Sequence, residues 1–287
     1  MVDDFKIVRC SSCGLIYVNS DLPHQIPYDS NYHVFLEEDD TCKKNLANKI
    51  LREIGRYKNS GRLLEIGPGR GLFLKEARDE GWEVVGLEAS KFAASKIKES
   101  IQIEVKVGKI SEQGFSERSF DVIAMHEVIE HLQDPSGTLK ETGRFIKKDG
   151  VMSITTPNAN TPNFRLRGSS VRYILPEEHY YYFTPGTLKM LLEKAGFSIL
   201  SMNTYDHNLA GLLEDILARL GIHIPVQRFF NKPNRARSRS QYHYLAHCIL
   251  RGIANPIYKL ICKLWKVLII PLTHTGQTIH VYAYPNK

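Results

Sequence analysis

The sequence predicts an open α/β fold, and two stretches carry that expectation. Residues Arg62 to Ser90 read as strand, glycine-rich turn, helix and strand. Residues Phe120 to Pro135 read as a branched apolar strand with a polar tip, leading into a helix. Strands that alternate with helices form a parallel sheet covered on both faces. Such sheets bind ligands at the carboxyl ends of their strands.

Leu63, Leu64 and Ile66 form the short apolar run of a buried parallel strand. Gly67, Gly69 and Gly71 follow at alternate positions, with Pro68 between the first two. Glycines at this point let the backbone turn tightly and approach a ligand that a side chain would exclude. A helix from about Leu72 to Asp79 ends at Gly81, and Trp82 to Leu87 supplies a second strand. That strand finishes on Glu88, followed by Ala89. A carboxylate at the tip is placed to accept hydrogen bonds from ribose hydroxyls, so a nucleoside cofactor is expected. The dinucleotide fingerprint needs a third glycine at position 72, which is Leu72. This weighs against a nucleotide-dependent oxidoreductase. A tight turn with no ligand is the bland alternative.

The other elements follow in order. Asp39 to Lys58 is helix-prone, with Leu46, Ile50, Leu51 and Ile54 at helical spacing, and Asn59-Ser60-Gly61 breaks it. Lys91 to Ser100 reads as a helix and Ile101 to Val107 as the third strand. Phe120 to Ala124 is the fourth, ending at Met125-His126. A helix over Thr138 to Phe145, a turn at Lys147 to Gly150 and a fifth strand over Val151 to Thr155 come next. Thr184-Pro185 opens a helix that Gly196 closes, and Phe197 to Met202 is the sixth strand. Thr278 to Tyr284 is the last.

Glu65 with Gly67, Gly69 and Gly71 resembles the first motif of the class I S-adenosylmethionine (SAM) dependent methyltransferases. Glu127-Val128-Ile129-Glu130-His131-Leu132 with Asp134-Pro135 resembles the E-V-L-E-H-x-x-D-P signature of the ubiquinone-biosynthesis-like members. Pro157-Asn158 and the run from Pro176 to Leu200 are similar to the same family. The resemblance implies a Rossmann-like seven-stranded sheet, helices on both faces and the seventh strand antiparallel. It implies SAM as cofactor, held by Glu65, Gly67, Pro68, Gly69, Gly71, Glu88, Ala89 and Ile110, with His126 and Glu127 at the methionine and substrate end. Lys109 stands where the family often has an acid, so the adenine contact falls to backbone amides around Ile110. The helix over Asp39 to Lys58 would pack across the cleft.

The implied reaction is methyl transfer to a small-molecule acceptor. A hydroxyl acceptor requires a base, for which His126 and His179 are the candidates. Glu127, Glu130 and His131 have the donor chemistry of a divalent-metal site. The alternative is that Glu130 and His131 cap and orient the next helix. A non-catalytic SAM-binding protein is the rival from another class.

Cys10 and Cys13 form a C-x-x-C knuckle like the second half of the zinc ribbon that precedes some sugar methyltransferases. A structural zinc needs four ligands, and His24, His33 and Cys42 are the nearby candidates, so zinc and a metal-free remnant both stand. Five scattered cysteines suit a reducing cytoplasm, and MVDDFKIVRC has no apolar core of a secretory signal. The expected organisation is an N-terminal segment over 1–45, a SAM-binding core over 46–206, a basic helical insertion over 207–275 and the final strand over 276–287.

Charge is uneven. The chain carries a net +7, and from His207 onward eleven Lys or Arg residues face only Glu214 and Asp215. Ile257 to Ile270 is apolar apart from Lys259, Lys263 and Lys266, too short for a span of about 20 apolar residues. Peripheral contact of 228–270 with an anionic membrane surface is therefore expected, with packing on the protein or a second copy as alternatives. Nucleic acid is disfavoured, because no binding module accompanies the charge. Arg165, Arg167 and Arg172 mark 159–176 as a substrate loop.

Overall fold

A computed structural model describes residues 5–19, 40–161, 164, 175–205 and 276–286. The expected basic insertion, the arginines of the expected substrate loop, His24 and His33 lie outside the described residues, as does the side chain of Cys42.

Strands β1 (Lys6–Arg9) and β2 (Ile16–Asn19) form an antiparallel hairpin. Helix α1 (Asp40–Ile54) runs continuously through the expected boundary at 45–46. The core then alternates: β3 (Arg62–Ile66), α2 (Leu72–Asp79), β4 (Glu83–Glu88), α3 (Lys91–Ile101), β5 (Val105–Val107), β6 (Phe120–His126), α4 (Pro135–Phe145) and β7 (Ile146–Pro157). A two-residue strand β8 (Tyr181–Tyr182), α5 (Pro185–Lys194), β9 (Phe197–Tyr205) and β10 (Thr278–Pro285) complete it.

Seven strands form one sheet in the order β5-β4-β3-β6-β7-β10-β9. β10 runs antiparallel to both neighbours, while β3, β4, β5, β6 and β7 are parallel. The order reverses between β4 and β6, on either side of β3. This is the switch point where open sheets take ligands. β8 joins the amino-terminal hairpin in a small second sheet.

Alternation along the strands fills both faces. Leu64, Ile123, Met125, Ile154 and Val281 meet Leu139 of α4 and Leu188 and Leu192 of α5 on one side. Leu63, Val122, Ala124 and Val151 meet Ile50, Leu51 and Ile54 of α1 and Phe73 and Leu74 of α2 on the other. Each such side chain, fully buried, contributes about 1.5–3 kcal/mol.

The elements differ from expectation at particular residues. Leu46 is 38 % exposed and Ala47 takes the inward position, so the apolar stripe of α1 is one residue out of phase there. Ile101 to Gln102 does not begin a strand, because Gln102 adopts the left-handed conformation (φ +55°) that ends α3. α4 starts at Pro135 rather than Thr138, since Asp134 caps it by accepting from the Gly137 amide at 2.8 Å. Lys147 to Gly150 does not break the fifth strand. It is taken up as an irregularity of β7 beside the Phe120–Val122 register shift.

Candidate active site

Glycine shapes the turn after β3. Gly67, Gly69 and Gly71 have φ of +67°, +56° and +73°, values that L side chains rarely adopt. Space also demands glycine: a Cβ on Gly67 would lie 2.5 Å from Val128 Cγ2, and one on Gly71 would lie 2.7 Å from Ile101 Cδ1. Pro68 is buried, and its carbonyl accepts from the Gly71 amide at 2.8 Å. Gly71 then caps α2 without a side-chain oxygen, leaving the first-turn N–H groups free of a side-chain cap. Leu72, in place of a third glycine, simply begins the helix.

Two carboxylates flank this turn. Glu65 is 3 % exposed, and its Oε2 has no hydrogen-bond partner. A buried carboxylate oxygen without a donor costs about 1–3 kcal/mol or more, so this atom suits a cationic ligand group such as an ammonium. Glu88 is also buried, and its Oε1 accepts from the Ser90 amide at 3.0 Å. Burial pushes its carboxyl up, opposed by N–H groups of Ser90, Ala89 and Gly69. Glu88 therefore ties the glycine turn to the end of β4. Ala89 is exposed, and Ile110 is buried in a short 3₁₀ turn after β5.

β6 delivers His126 beside Glu65, and Glu127 follows directly after the strand. His126 Nδ1 lies 3.5 Å from Glu65 Oε1, and Phe73 of α2 packs its ring edge-on at 4.6 Å. Glu127 has φ +56°, a strained backbone for a residue with a side chain, held as its amide donates to the Thr155 carbonyl at 2.9 Å. Glu127 is exposed just beyond the end of β6, and the protein around its carboxyl raises it, against the Thr155 hydroxyl and His126.

Glu130, His131 and His179 form a second group, their ligand atoms within 4.8 Å of one another. Glu130 does not cap α4; its Oε2 accepts from the Thr156 hydroxyl at 2.9 Å, and Oε1 is unpartnered. Burial, and then the charge of Glu127, hold its carboxyl well above the usual range. His131 Nδ1 donates to the Glu178 carbonyl at 3.0 Å, and burial lowers its basicity. His179 is 5 % exposed and packs edge-on against His131 at 4.5 Å. The trio expected from sequence thus exchanges Glu127 for His179. One carboxylate and two imidazoles could hold a divalent cation. The two candidate bases fall into different groups, His126 with Glu65 and His179 with His131.

Cys10 and Cys13 stand in the turn between β1 and β2, and both are half-buried free thiols. Hydrogen bonds from Cys13 and Ser12 lower the Cys10 thiol. Among the described residues no third metal-ligating side chain joins them, so the zinc expectation has two of its four ligands.

Sequence reading missed Ser153, His280, Tyr282, Glu53 and Tyr205. Ser153 Oγ lies 3.1 Å from His126 Nε2 and 3.3 Å from His280 Nε2. Tyr282 and Tyr205 both donate their hydroxyls to the Glu53 carboxylate, at 3.0 and 3.1 Å. The signal was present in β10. Ile279, Val281 and Ala283 point to one face, and Thr278, His280 and Tyr282 place polar groups on the other.

The sheet order, the antiparallel β10 and the glycine turn define the fold of class I SAM-dependent methyltransferases. A family model described as "Methyltransferase domain" matches residues 37–202, more than half of the chain, and the chain belongs to that family. It is 35 % identical over 121 residues to a ubiquinone biosynthesis O-methyltransferase of Pelagibacter ubique, covering 40 % of this chain and 49 % of that protein. A protein of the same name from Nitrobacter winogradskyi is 30 % identical over 149 residues, covering 48 % and 57 %. The match thus spans about half the length of these relatives. A SAM-dependent methyltransferase from Archaeoglobus fulgidus superposes with a TM-score of 0.54 at 20 % identity, over 84 % of this chain and 94 % of that one. The phosphoethanolamine N-methyltransferase 2 of Haemonchus contortus gives 0.51 at 20 %, over 85 % and 53 %. These likenesses show the fold. Among the described residues no helix is long and apolar enough to cross a membrane.

Proposed function

We propose that this chain transfers the methyl group of SAM to a hydroxyl of a small-molecule acceptor, with His126 as the base. The observation that carries the reading is the Glu65 carboxylate, unpartnered at Oε2 and facing His126 Nδ1 through Oε1, beside a turn where only glycine fits. Glu65 and the glycine turn would hold the methionine and phosphate-free nucleoside ends of SAM, with Glu88 at the ribose and Ile110 near the adenine. Bound there, SAM supplies a methyl group already activated by its sulfonium.

The protein's own task is alignment. The sheet tips fix the base, the strained Glu127 borders the acceptor side, and Phe73 packs edge-on against the His126 ring. A proton leaving the acceptor hydroxyl would pass to His126 Nδ1, where the Glu65 carboxylate sits opposite. The strong positive charge after His207 supports an acceptor that is a lipid-linked or glycan-related intermediate met at an anionic membrane face.

Labelled methyl transfer from SAM to lipid-linked and glycan acceptor pools tests this. Transfer to a hydroxyl, lost in His126→Ala and kept in His179→Ala, is the expected outcome. SAM binding without transfer to any pool would support a non-catalytic protein instead.

A further inference from the structure

Five polar side chains run from the end of β3 to α1 beneath the surface. Glu65 Oε1 faces His126 Nδ1 at 3.5 Å, and Ser153 Oγ stands 3.1 Å from His126 Nε2. His280 Nε2 lies 3.3 Å beyond Ser153 Oγ, and Glu53 Oε2 lies 3.6 Å from His280 Nδ1. Ser153 is fully buried, and His280 is 2 % exposed. Four strands and a helix supply the chain: β3, β6, β7, β10 and α1. Nothing in a scaffold requires it, because buried polar groups in an apolar layer cost free energy unless all are satisfied.

The direction of donation can be worked out from the Glu53 end. Tyr282 gives its only hydroxyl proton to Glu53 Oε2 at 3.0 Å, and Tyr205 gives its own to the same carboxylate. Burial raises both phenols, so each keeps its proton. The Tyr282 oxygen, 3.4 Å from His280 Nδ1, can therefore only accept. His280 Nδ1, hydrogen-bonded to that accepting oxygen, must carry a hydrogen. Burial, with His126 and Lys49 nearby, holds His280 well below the usual imidazole range, so it is singly protonated. Its Nε2 is then a lone pair that accepts from the Ser153 hydroxyl. Ser153, having spent its proton, accepts from His126 Nε2–H. The nitrogen left on His126 without a hydrogen bond is Nδ1, whose 3.5 Å approach to Glu65 Oε1 is an ion-pair contact only.

We propose that His280, acting through Ser153 and anchored by Glu53, is a positioning residue that fixes His126 as the Nε2–H tautomer and leaves Nδ1 as the proton acceptor. This rests on the reading of His126 as the base. A neutral base whose second nitrogen is held by a hydrogen bond presents one tautomer and one orientation to its substrate. With SAM bound, the proton would leave the acceptor hydroxyl for Nδ1 as the oxygen–methyl bond formed and the sulfonium–methyl bond broke. The Nε2–H stays with Ser153 throughout. The charged groups facing the pair are Glu65 from β3, Glu127 next to His126, and Lys49 and Glu53 from α1. The phenols of Tyr205 and Tyr282 face it from β9 and β10.

Long-range proton–nitrogen correlation spectra of protein labelled at histidine read the tautomer directly, with His126→Gln assigning the signals. At about pH 8, above the usual imidazole range, the His126 Nε2–H form is expected in the full chain. Ser153→Ala and His280→Phe should turn it into a mixture. His280→Gln, which keeps an acceptor near the Nε2 position, should restore it. In the same variants kcat should fall about ten-fold or more while KM for SAM holds, again with rescue by His280→Gln. A His126 in the Nδ1–H form, or a tautomer indifferent to both Ser153→Ala and His280→Phe, overturns the proposal. The expected tautomer pattern with full transfer in His126→Gln supports the relay and removes His126 as the base.

Discussion

Gly67 is the position where the site's geometry makes its sharpest demand. Substituting alanine imposes two costs. The left-handed backbone (φ +67°) disfavours any L side chain by about 1–2 kcal/mol. The new Cβ would also stand 2.5 Å from Val128 Cγ2, on the segment that follows the strained Glu127. Forcing a methyl into a packed site costs a further ~1–3 kcal/mol. The sum, about 2–5 kcal/mol, is a large part of the 5–15 kcal/mol that holds a typical domain together. Gly81 provides the control: its φ is +94°, but a Cβ there meets nothing within 4 Å. Gly81→Ala should therefore show backbone strain alone. Urea unfolding of Gly67→Ala, Gly81→Ala, Val128→Ala and the Gly67→Ala/Val128→Ala pair separates the terms. The pair should recover part of the clash as a coupling energy of about 0.5–3 kcal/mol. Equal losses in Gly67→Ala and Gly81→Ala, with no coupling to Val128, would refute the reasoning.

Three further outcomes follow from the same structure. Asp121 accepts from the Arg62 amide at 2.9 Å and from Lys147 Nζ at 2.8 Å, and although burial alone would raise its carboxyl, these partners hold it low. Its contribution is present above the unfolded value of about 3.9 and lost as pH falls below it. Asp121→Asn should cost about 1–3 kcal/mol at neutral pH and flatten the acid limb of the stability curve, measured by denaturation across pH. Glu130 is shifted the other way, so the folded state holds its proton longer than the unfolded one. Stability should fall as pH rises from about 4.3 toward the raised value, and Glu130→Gln should lessen that fall in thermal melts. Thr184 caps α5 by accepting from the Thr187 amide at 3.2 Å, and Thr184→Ala should lower stability by about 0.5–2 kcal/mol without changing SAM affinity.

The elements read most clearly in the sequence are those with local causes. The run Leu63–Ile66, the alternate glycines and the Thr184-Pro185 start each state their conformation within a few residues. Ile101 to Val107 misled because its alternation fits a strand, while the left-handed Gln102 ends α3 and delays pairing until Val105. The glycine turn was legible for the same local reason. The Ser153–His280–Glu53 chain was not, because its members are separated by 127 positions at the Ser153–His280 contact alone. They meet only when β10 inserts antiparallel between β7 and β9 and α1 folds over that face. The metal-like trio shows the same limit: Glu130 and His131 are adjacent, but His179 lies 48 positions further along the chain.

Calorimetric titration of the full chain with SAM, its demethylated product S-adenosylhomocysteine and NAD tests the central claim most directly, alongside Glu65→Gln and Glu88→Ala. Binding of the first two compounds, weakened in both variants, with no heat from NAD is the predicted result. NAD binding in their place, or no binding of any of the three by the folded protein, would contradict it.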